Sequence, residues 1–316
     1  MVNLDDVKRA RNEIAGMIHK TPVLTSSLLN GRTGNQIYLK SEHLQKTGSF
    51  KIRGAANAVK QAVKEGAEFI TAASSGNHGQ AVAYIADQLG VPAAIVVPED
   101  ANRAKVSAIE GYNGKVIYCG LTSAERIPKA TQLAEENNGI YIPPYDHPHV
   151  IAGQGTLGLE LLEQVADLDI IVVPIGGGGL ISGILIAIKG INPDIRVIGV
   201  EPDTANDTYL SLANKHITAI SRTSTIADGL RTSQPGQLTF PILQEYLDDL
   251  VLVTEEEIKE AFQFMLERTK QLVEPSGAAA VAAMLAGELG VHGKKIAIVL
   301  SGGNVDLKQI QTFLPE

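Results

Sequence analysis

Apolar residues recur along this chain with two different periods, and the alternation of those periods predicts the architecture. Val7, Ala10, Ile14 and Met17 stand at helical spacing, and Thr21-Pro22 closes that first helix. Short apolar runs then predict strands at 37–39, 69–73, 93–97 and 115–118, separated by helix-like stretches at 54–63, 81–89, 103–109 and 124–136. A second series follows, with a helix at 156–165, a strand at 170–173, a helix at 180–189 and a strand at 196–200. Beyond residue 238 the pattern gives a helix, a strand at 250–253, helices at 255–272 and 277–289, and a last strand at 295–300. Strands this apolar call for a parallel sheet with helices on both faces. The expected fold class is therefore α/β, built as two open parallel-sheet units. The large unit takes residues 1–47 and 146–316, and the small one, 48–145, is inserted in it.

One local device is repeated. An apolar strand runs into a turn rich in Ser, Gly and Asn, and a helix follows, at Ser75, at Gly176 and at Ser301. In open α/β sheets the ligand lies outside the carboxyl ends of the strands, so all three turns can face one crevice. Gly176, Gly177, Gly178 and Gly179 are four successive positions without Cβ, directly before a helix that begins at Leu180. Backbone N–H groups can converge there on a phosphate; a tight turn for close helix–strand packing is the plainer alternative. No Lys-Ser/Thr pair follows in register, so this is not a P-loop. Gly177, Gly179 and Ser182, with Glu201 ending the next strand, come near a dinucleotide fingerprint and supply a rival class, a nicotinamide-dependent oxidoreductase.

A fourth stretch adds a nucleophile. Lys51 follows the turn Gly48-Ser49 and lies between Phe50 and Ile52, at the edge of a core. It is either an ordinary boundary lysine or a partly desolvated amine able to form a Schiff base. Asn77, His78 and Ser301, each taken alone, read as turn or cap residues. Together these elements describe a site for a phosphate, an aromatic ring with polar edge atoms, and an aldehyde that reacts with Lys51, which is pyridoxal 5′-phosphate.

Composition narrows the class further. The chain has 316 residues, 44 % of them hydrophobic, enough for two packed units. No apolar run approaches the ~20 residues needed to span a bilayer, and residues 4–19 do not read as a signal peptide, so a cytoplasmic protein without membrane contact is expected. A net charge of −8 without a long basic run argues against nucleic acid as a partner and favours a small-molecule substrate. The single cysteine, Cys119, follows an apolar run and reads as a small buried residue.

The runs Gln45-Lys46-Thr47-Gly48-Ser49-Phe50-Lys51-Ile52-Arg53-Gly54, Ser74-Ser75-Gly76-Asn77-His78-Gly79-Gln80, Ile151-Ala152-Gly153-Gln154-Gly155-Thr156, the four glycines at 176–179, and Leu300-Ser301-Gly302-Gly303-Asn304-Val305-Asp306 occur in this order over nearly the whole chain. In this the sequence resembles the serine/threonine dehydratase and serine racemase family of fold type II pyridoxal-phosphate enzymes, with its cofactor in the cleft between two α/β domains. The resemblance implies that Lys51 holds the cofactor covalently, that Asn77 bonds the 3′ oxygen of the ring, that Gly176 to Gly179 and Leu180 cradle the phosphate, and that Ser301 meets the pyridine nitrogen. A neutral serine there, in place of an aspartate, makes the ring a modest electron sink. It also implies an amino-acid substrate held by Ser74, Ser75, Gly76, Asn77, His78 and Arg126.

Ser75 separates members of the family. Relatives that only dehydrate commonly carry a residue without a hydroxyl here, whereas in those resembling serine racemase a serine faces the ring side opposite the lysine. Lys51 and Ser75 would then exchange the Cα proton from two faces; a turn-capping hydroxyl is the alternative for Ser75, and an exposed helix arginine for Arg126. Glu201, Ala205 and Asp207 are similar to the family's divalent-cation site, two carboxylates and a backbone carbonyl suited to Mg²⁺, Mn²⁺ or Ca²⁺. The expected activity is serine racemisation with L-serine and L-threonine dehydration, or dehydration of these or of 3-hydroxyaspartate alone, in a homodimer. Pro143-Pro144 leads to Tyr145 where some animal racemases use a Pro-Asn pair for a nucleotide effector, so nucleotide activation is not expected. The chain ends soon after Asp306, so no C-terminal regulatory domain is expected either.

Overall fold

The computed structural model describes residues 2–221 and 223–315. In chain order the strands are β1 Val23–Thr25, β2 Gln36–Ser41, β3 Phe69–Ala73, β4 Ala93–Val97, β5 Lys115–Tyr118, β6 Gly139–Tyr141, β7 Ile170–Pro174, β8 Arg196–Pro202, β9 Asp249–Val253 and β10 Lys295–Leu300. They form two sheets, of order β1-β2-β10-β7-β8-β9 and β5-β4-β3-β6. The chain leaves the six-stranded sheet after β2, builds the four-stranded one, and returns at β7. Every pairing is parallel except β1 with β2, so the larger sheet is mixed where an all-parallel one was expected. The exception is a three-residue edge strand, too short and too exposed to leave an apolar run in the sequence.

Helices cover both faces, as buried parallel strands require. One core cluster lies under the helices Glu255–Phe264 and Pro275–Leu285, a second under Pro148–Gln164 and Gly179–Ile191, and a third inside the four-stranded unit. The helix Pro148–Gln164 begins eight residues before its expected start, because Gly153 and Gly155 interrupt the apolar period that the sequence displays. The helix Glu255–Phe264 ends early in a π turn, Met265–Thr269, and the chain turns away at Lys270 with φ of +59°. Cys119, expected to be buried, is only half-buried: β5 is an edge strand, and its end is covered on one side alone.

Glycine contacts bring the helices around Lys51 unusually close. A Cβ on Gly153 would stand 2.5 Å from the carbonyl oxygen of Arg53, and one on Gly183 would stand 2.4 Å from the Gly155 nitrogen and the Ile151 oxygen. Three helices, Lys51–Lys64, Pro148–Gln164 and Gly179–Ile191, therefore meet backbone to backbone. A buried ion cluster locks the same region. Arg53 donates to both oxygens of Glu42 at 2.7 and 2.8 Å and to both oxygens of Glu160 at 2.8 Å, and Lys40 donates to Glu160 at 2.7 Å. Two cations face two carboxylates, and each charge has a hydrogen-bonded partner, the condition under which buried charges are tolerated.

Gly183→Ala is expected to destabilise the protein. Alanine in a helix gains ~1 kcal/mol over glycine, but forcing a methyl against backbone atoms costs roughly 1–3 kcal/mol or more, and the contact here is with backbone that cannot turn aside. Urea unfolding should show a lower midpoint; an unchanged or raised midpoint would mean that the helices can part without cost.

Candidate active site

The carboxyl ends of β3, β7 and β10 point into one cleft of about 760 Å³ between the two sheets. Lys51, Ser74, Ser75, Gly76, Asn77, His78, Arg126, Gly176, Gly177, Gly178, Gly179, Leu180 and Ser301 all line it. Residues drawn from five separate stretches of the chain are thus brought together.

Lys51 is the first residue of its helix, where glycine contacts and the Arg53 cluster fix the backbone. Its Nζ donates to the carbonyl oxygen of Pro144 at 2.8 Å. Burial pushes the amine down to about 8, with the nearby Glu274 carboxylate opposing the shift. An amine in this range loses its proton readily near neutral pH, which a nucleophile requires. The hydroxyls of Thr47 and Ser49, in the turn before it, are buried without a partner among the described residues.

The glycine turn is a bare backbone strip. The ring of Tyr145 stands 2.4 Å from where a Cβ of Gly177 would be, and Tyr145 also crowds Gly179. Gly178 adopts φ of +89° as it enters the helix Gly179–Ile191. Amides at the start of a helix have no intrahelical acceptor, and the positive end of the dipole faces the same way. Tyr145 and its neighbours anchor the turn from below. Asp146 accepts from the amides of Gln237 and Leu238 at 2.9 and 2.8 Å, and Thr239 Oγ1 donates to Gly177 O at 2.8 Å.

In the Ser75 turn, the Gly76 amide donates to Ser74 Oγ at 3.3 Å, whereas Ser75 Oγ has no hydrogen bond among the described residues. The turn-capping hydroxyl is Ser74, and that of Ser75 is left to the cleft. His78 is buried with Nε2 against the carbonyl oxygen of Ile142 at 2.8 Å. Burial and the Lys51 charge press its pKa down to about 3, so the ring is neutral and donates to that carbonyl. Arg126 is no exposed helix arginine. It reaches the cleft wall, where its Nη2 donates to Ser123 Oγ at 3.3 Å while Nε and Nη1 are buried without partners among the described residues.

One wall residue escaped the sequence reading. Glu274, 4 % exposed, accepts from Asn77 Nδ2 at 2.7 Å and from the Asn304 amide at 3.2 Å. Burial first, and the Asp228 carboxylate second, push it up to about 8. Its only signal in the sequence was an acidic residue in the otherwise small, apolar run Val273-Glu274-Pro275-Ser276-Gly277.

Glu201 and Asp207 lie behind the cleft, both fully buried, and Ala205 is buried between them in sequence. Glu201 accepts from the amides of Thr208 and Tyr209 at 3.0 and 2.9 Å, one bond to each carboxylate oxygen. Burial and the Asp207 charge raise Glu201 to about 8, and burial raises Asp207 to about 7. Asp207 also accepts from Thr232, which lines the cleft. Among the described residues no three His, Cys, Asp or Glu side chains gather to hold a metal, so a cation here would rest on two carboxylates and carbonyl oxygen. No described helix is long and apolar enough to cross a membrane.

A depressed lysine amine, a glycine strip open to an anion, and a Ser301 hydroxyl lining the same cleft suit pyridoxal phosphate, each by its own chemistry. The comparisons agree. The chain is 47 % identical to serine racemase of Dictyostelium discoideum, covering 99 % of this chain and 98 % of the relative. It is 46 % identical to L-threo-3-hydroxyaspartate ammonia-lyase of Saccharomyces cerevisiae, covering 98 % and 95 %. It superposes on maize serine racemase with a TM-score of 0.95 at 39 % identity, covering 98 % and 96 %. With residues 14–302 matching that family, this chain belongs to the pyridoxal-phosphate dependent enzymes.

Proposed function

We propose that the protein is a serine racemase that also dehydrates L-serine and L-threonine to a 2-oxo acid and ammonia. The observation that carries this reading is the free hydroxyl of Ser75 in the same cleft as the Lys51 amine, with the turn bond made by Ser74 instead. When bound, pyridoxal phosphate supplies a conjugated ring that acidifies the Cα–H of an attached amino acid. The chain's own groups do the rest. Lys51 would hold the cofactor aldehyde and, as a free amine, take or return the Cα proton on one side. Ser75 does the same on the other side, which inverts the centre. The amides of Gly176 to Leu180 would hold the phosphate, the remaining Nδ2 hydrogen of Asn77 would serve the ring's 3′ oxygen, and Ser301 would offer the ring nitrogen a neutral partner. The amides at the Ser74 to His78 turn and the unpaired nitrogens of Arg126 receive substrate carboxylate. His78 contributes through its backbone, since its ring is committed to Ile142.

The same site without proton return from Ser75 would be a dehydratase of serine, threonine or 3-hydroxyaspartate, and the likeness to the yeast enzyme favours keeping this second reading. In either case the unit 48–145 would close over the substrate, excluding water. We further place Mg²⁺, Mn²⁺ or Ca²⁺ on Glu201, Asp207 and the Ala205 carbonyl, and propose a cytoplasmic homodimer.

Three outcomes test these assignments. Ser75→Ala should abolish D-serine formation from L-serine while pyruvate release continues within a few-fold, as measured by chiral chromatography beside a pyruvate assay; equal loss of both would sink the assignment of Lys51 and Ser75 to opposite faces. Incorporation of pyridoxal phosphate into cofactor-stripped protein should quicken as pH rises and level off above about 8, because the amine reacts only after losing its proton. A profile still climbing at pH 10 would place the amine in ordinary solvent. For the cation, EDTA should lower the melting temperature and excess Mg²⁺ should restore it, and a Glu201→Gln variant should show neither response.

A further inference from the structure

The amide of Asn77 is held at both ends. Asn304 Nδ2 donates to the Thr47 carbonyl oxygen at 2.9 Å and to Asn77 Oδ1 at 2.7 Å. Both hydrogens of that amide are spent, so Asn304 can only donate toward Asn77. Asn77 Oδ1 must then face Asn304 as an acceptor, and Nδ2 must face the other way, where it donates to Glu274 Oε1 at 2.7 Å. Glu274 is itself fixed by the Asn304 amide at 3.2 Å, and its own amide donates to Gly302 O at 3.0 Å. Asn304 reaches this position because Gly48 has no side chain: a Cβ there would stand 2.3 Å from Asn304 Oδ1. The ring of contacts joins the Lys51 turn, the Ser75 turn, the Glu274 segment and the Ser301 turn.

An asparagine amide in a cleft can present either its oxygen or its nitrogen by a rotation of 180° about one bond. Here only one orientation satisfies all its partners. Among the described residues Glu274 uses one hydrogen of Nδ2, so the other stays free to donate into the cleft that Asn77 lines, while Oδ1 is turned toward Asn304.

We propose that Asn304 and Glu274 are positioning residues that lock the Asn77 amide with its N–H toward the cofactor, so that the site binds the ring with its 3′ oxygen ionised and discriminates against a ring that must donate there. This rests on the reading of the cleft as a pyridoxal-phosphate site. Asn304→Asp keeps the side-chain size but turns an acceptor toward Asn77 Oδ1, which drives the amide to flip. The holoenzyme variant should release pyridoxal phosphate on dilution about tenfold faster than the parent, the effect of one lost hydrogen bond together with one reversed. Its visible absorbance should lose intensity at long wavelength, where the ionised ring absorbs. Placed on an Asn77→Ala background, the same substitution should add less than about twofold, since it acts through Asn77.

Glu274→Gln, nearly the same shape, gives a second route if Asn304→Asp does not fold. It should also shift the visible band, and should lose that effect without Asn77. An unchanged band and release rate in the folded variants, or a full penalty that persists on the Asn77→Ala background, would overturn the assignment. A parent protein that takes up no pyridoxal phosphate would overturn the functional reading and this inference with it, whereas a parent that binds it and variants that match the parent would overturn the inference alone.

Discussion

The structure depends on how the backbone at Lys51 is held. Two residues later Arg53 is fully enclosed, with every charge around it answered: Glu42 from the segment after β2, Glu160 from the helix Pro148–Gln164, and Lys40 from β2 itself. Removing one member of such a cluster leaves an uncompensated buried charge, a cost of roughly 3–5 kcal/mol. The cluster therefore acts as a joint of fixed geometry between the six-stranded sheet and the helix that starts with the reactive amine. Glycine contacts at Gly54 and Gly153 press the same two helices, Lys51–Lys64 and Pro148–Gln164, backbone against backbone. The amine is the mobile end of a four-carbon stem on an immobile base.

Around that base the three turns divide the work by their chemistry. The glycine strip gives N–H groups without side chains, the Ser75 turn gives hydroxyl and helix-start amides, and the Ser301 turn gives a neutral hydroxyl. All three stand at carboxyl ends of parallel strands, so their convergence follows from sheet topology. Neighbouring carboxylates are kept in check by burial. Glu274, Glu201 and Asp207 all have raised pKa values, which weakens the negative charge they bring near the cleft.

Much of this was legible in the sequence, because the strands are apolar without interruption and each ends in a recognisable turn. Eight of the strands fell where the apolar runs are. The two that did not, β1 and β6, have three residues each and no fully buried position, so they leave no period to detect. The amine and the glycine strip that line the cleft were legible for a different reason: amine and bare-backbone chemistry are carried by residue type. What escaped was contact chemistry. Nothing in the order of residues says that Asn304 meets Asn77 across 227 positions, that Glu274 faces both, or that Ser74 takes the turn bond and leaves Ser75 free. Such facts depend on which side chains fold to the same point, and the apolar pattern is silent on that. Cys119 was misjudged for the same reason, since only sheet order reveals that β5 is an edge.

The bond from the Lys51 amine to the Pro144 carbonyl has a consequence for how readily the amine becomes available. A carbonyl is a neutral resting place: it accepts a hydrogen from the ammonium and from the free amine alike, so losing the proton does not break the contact. Had the amine rested on a carboxylate, deprotonation would have meant surrendering an ion pair in a sheltered setting, and the nitrogen would have stayed cationic and inert. Pro144 is the residue before Tyr145, whose ring presses on the glycine strip. One short piece of chain thus holds the amine and shapes the glycine strip, the two groups that the proposed function assigns to opposite ends of one cofactor.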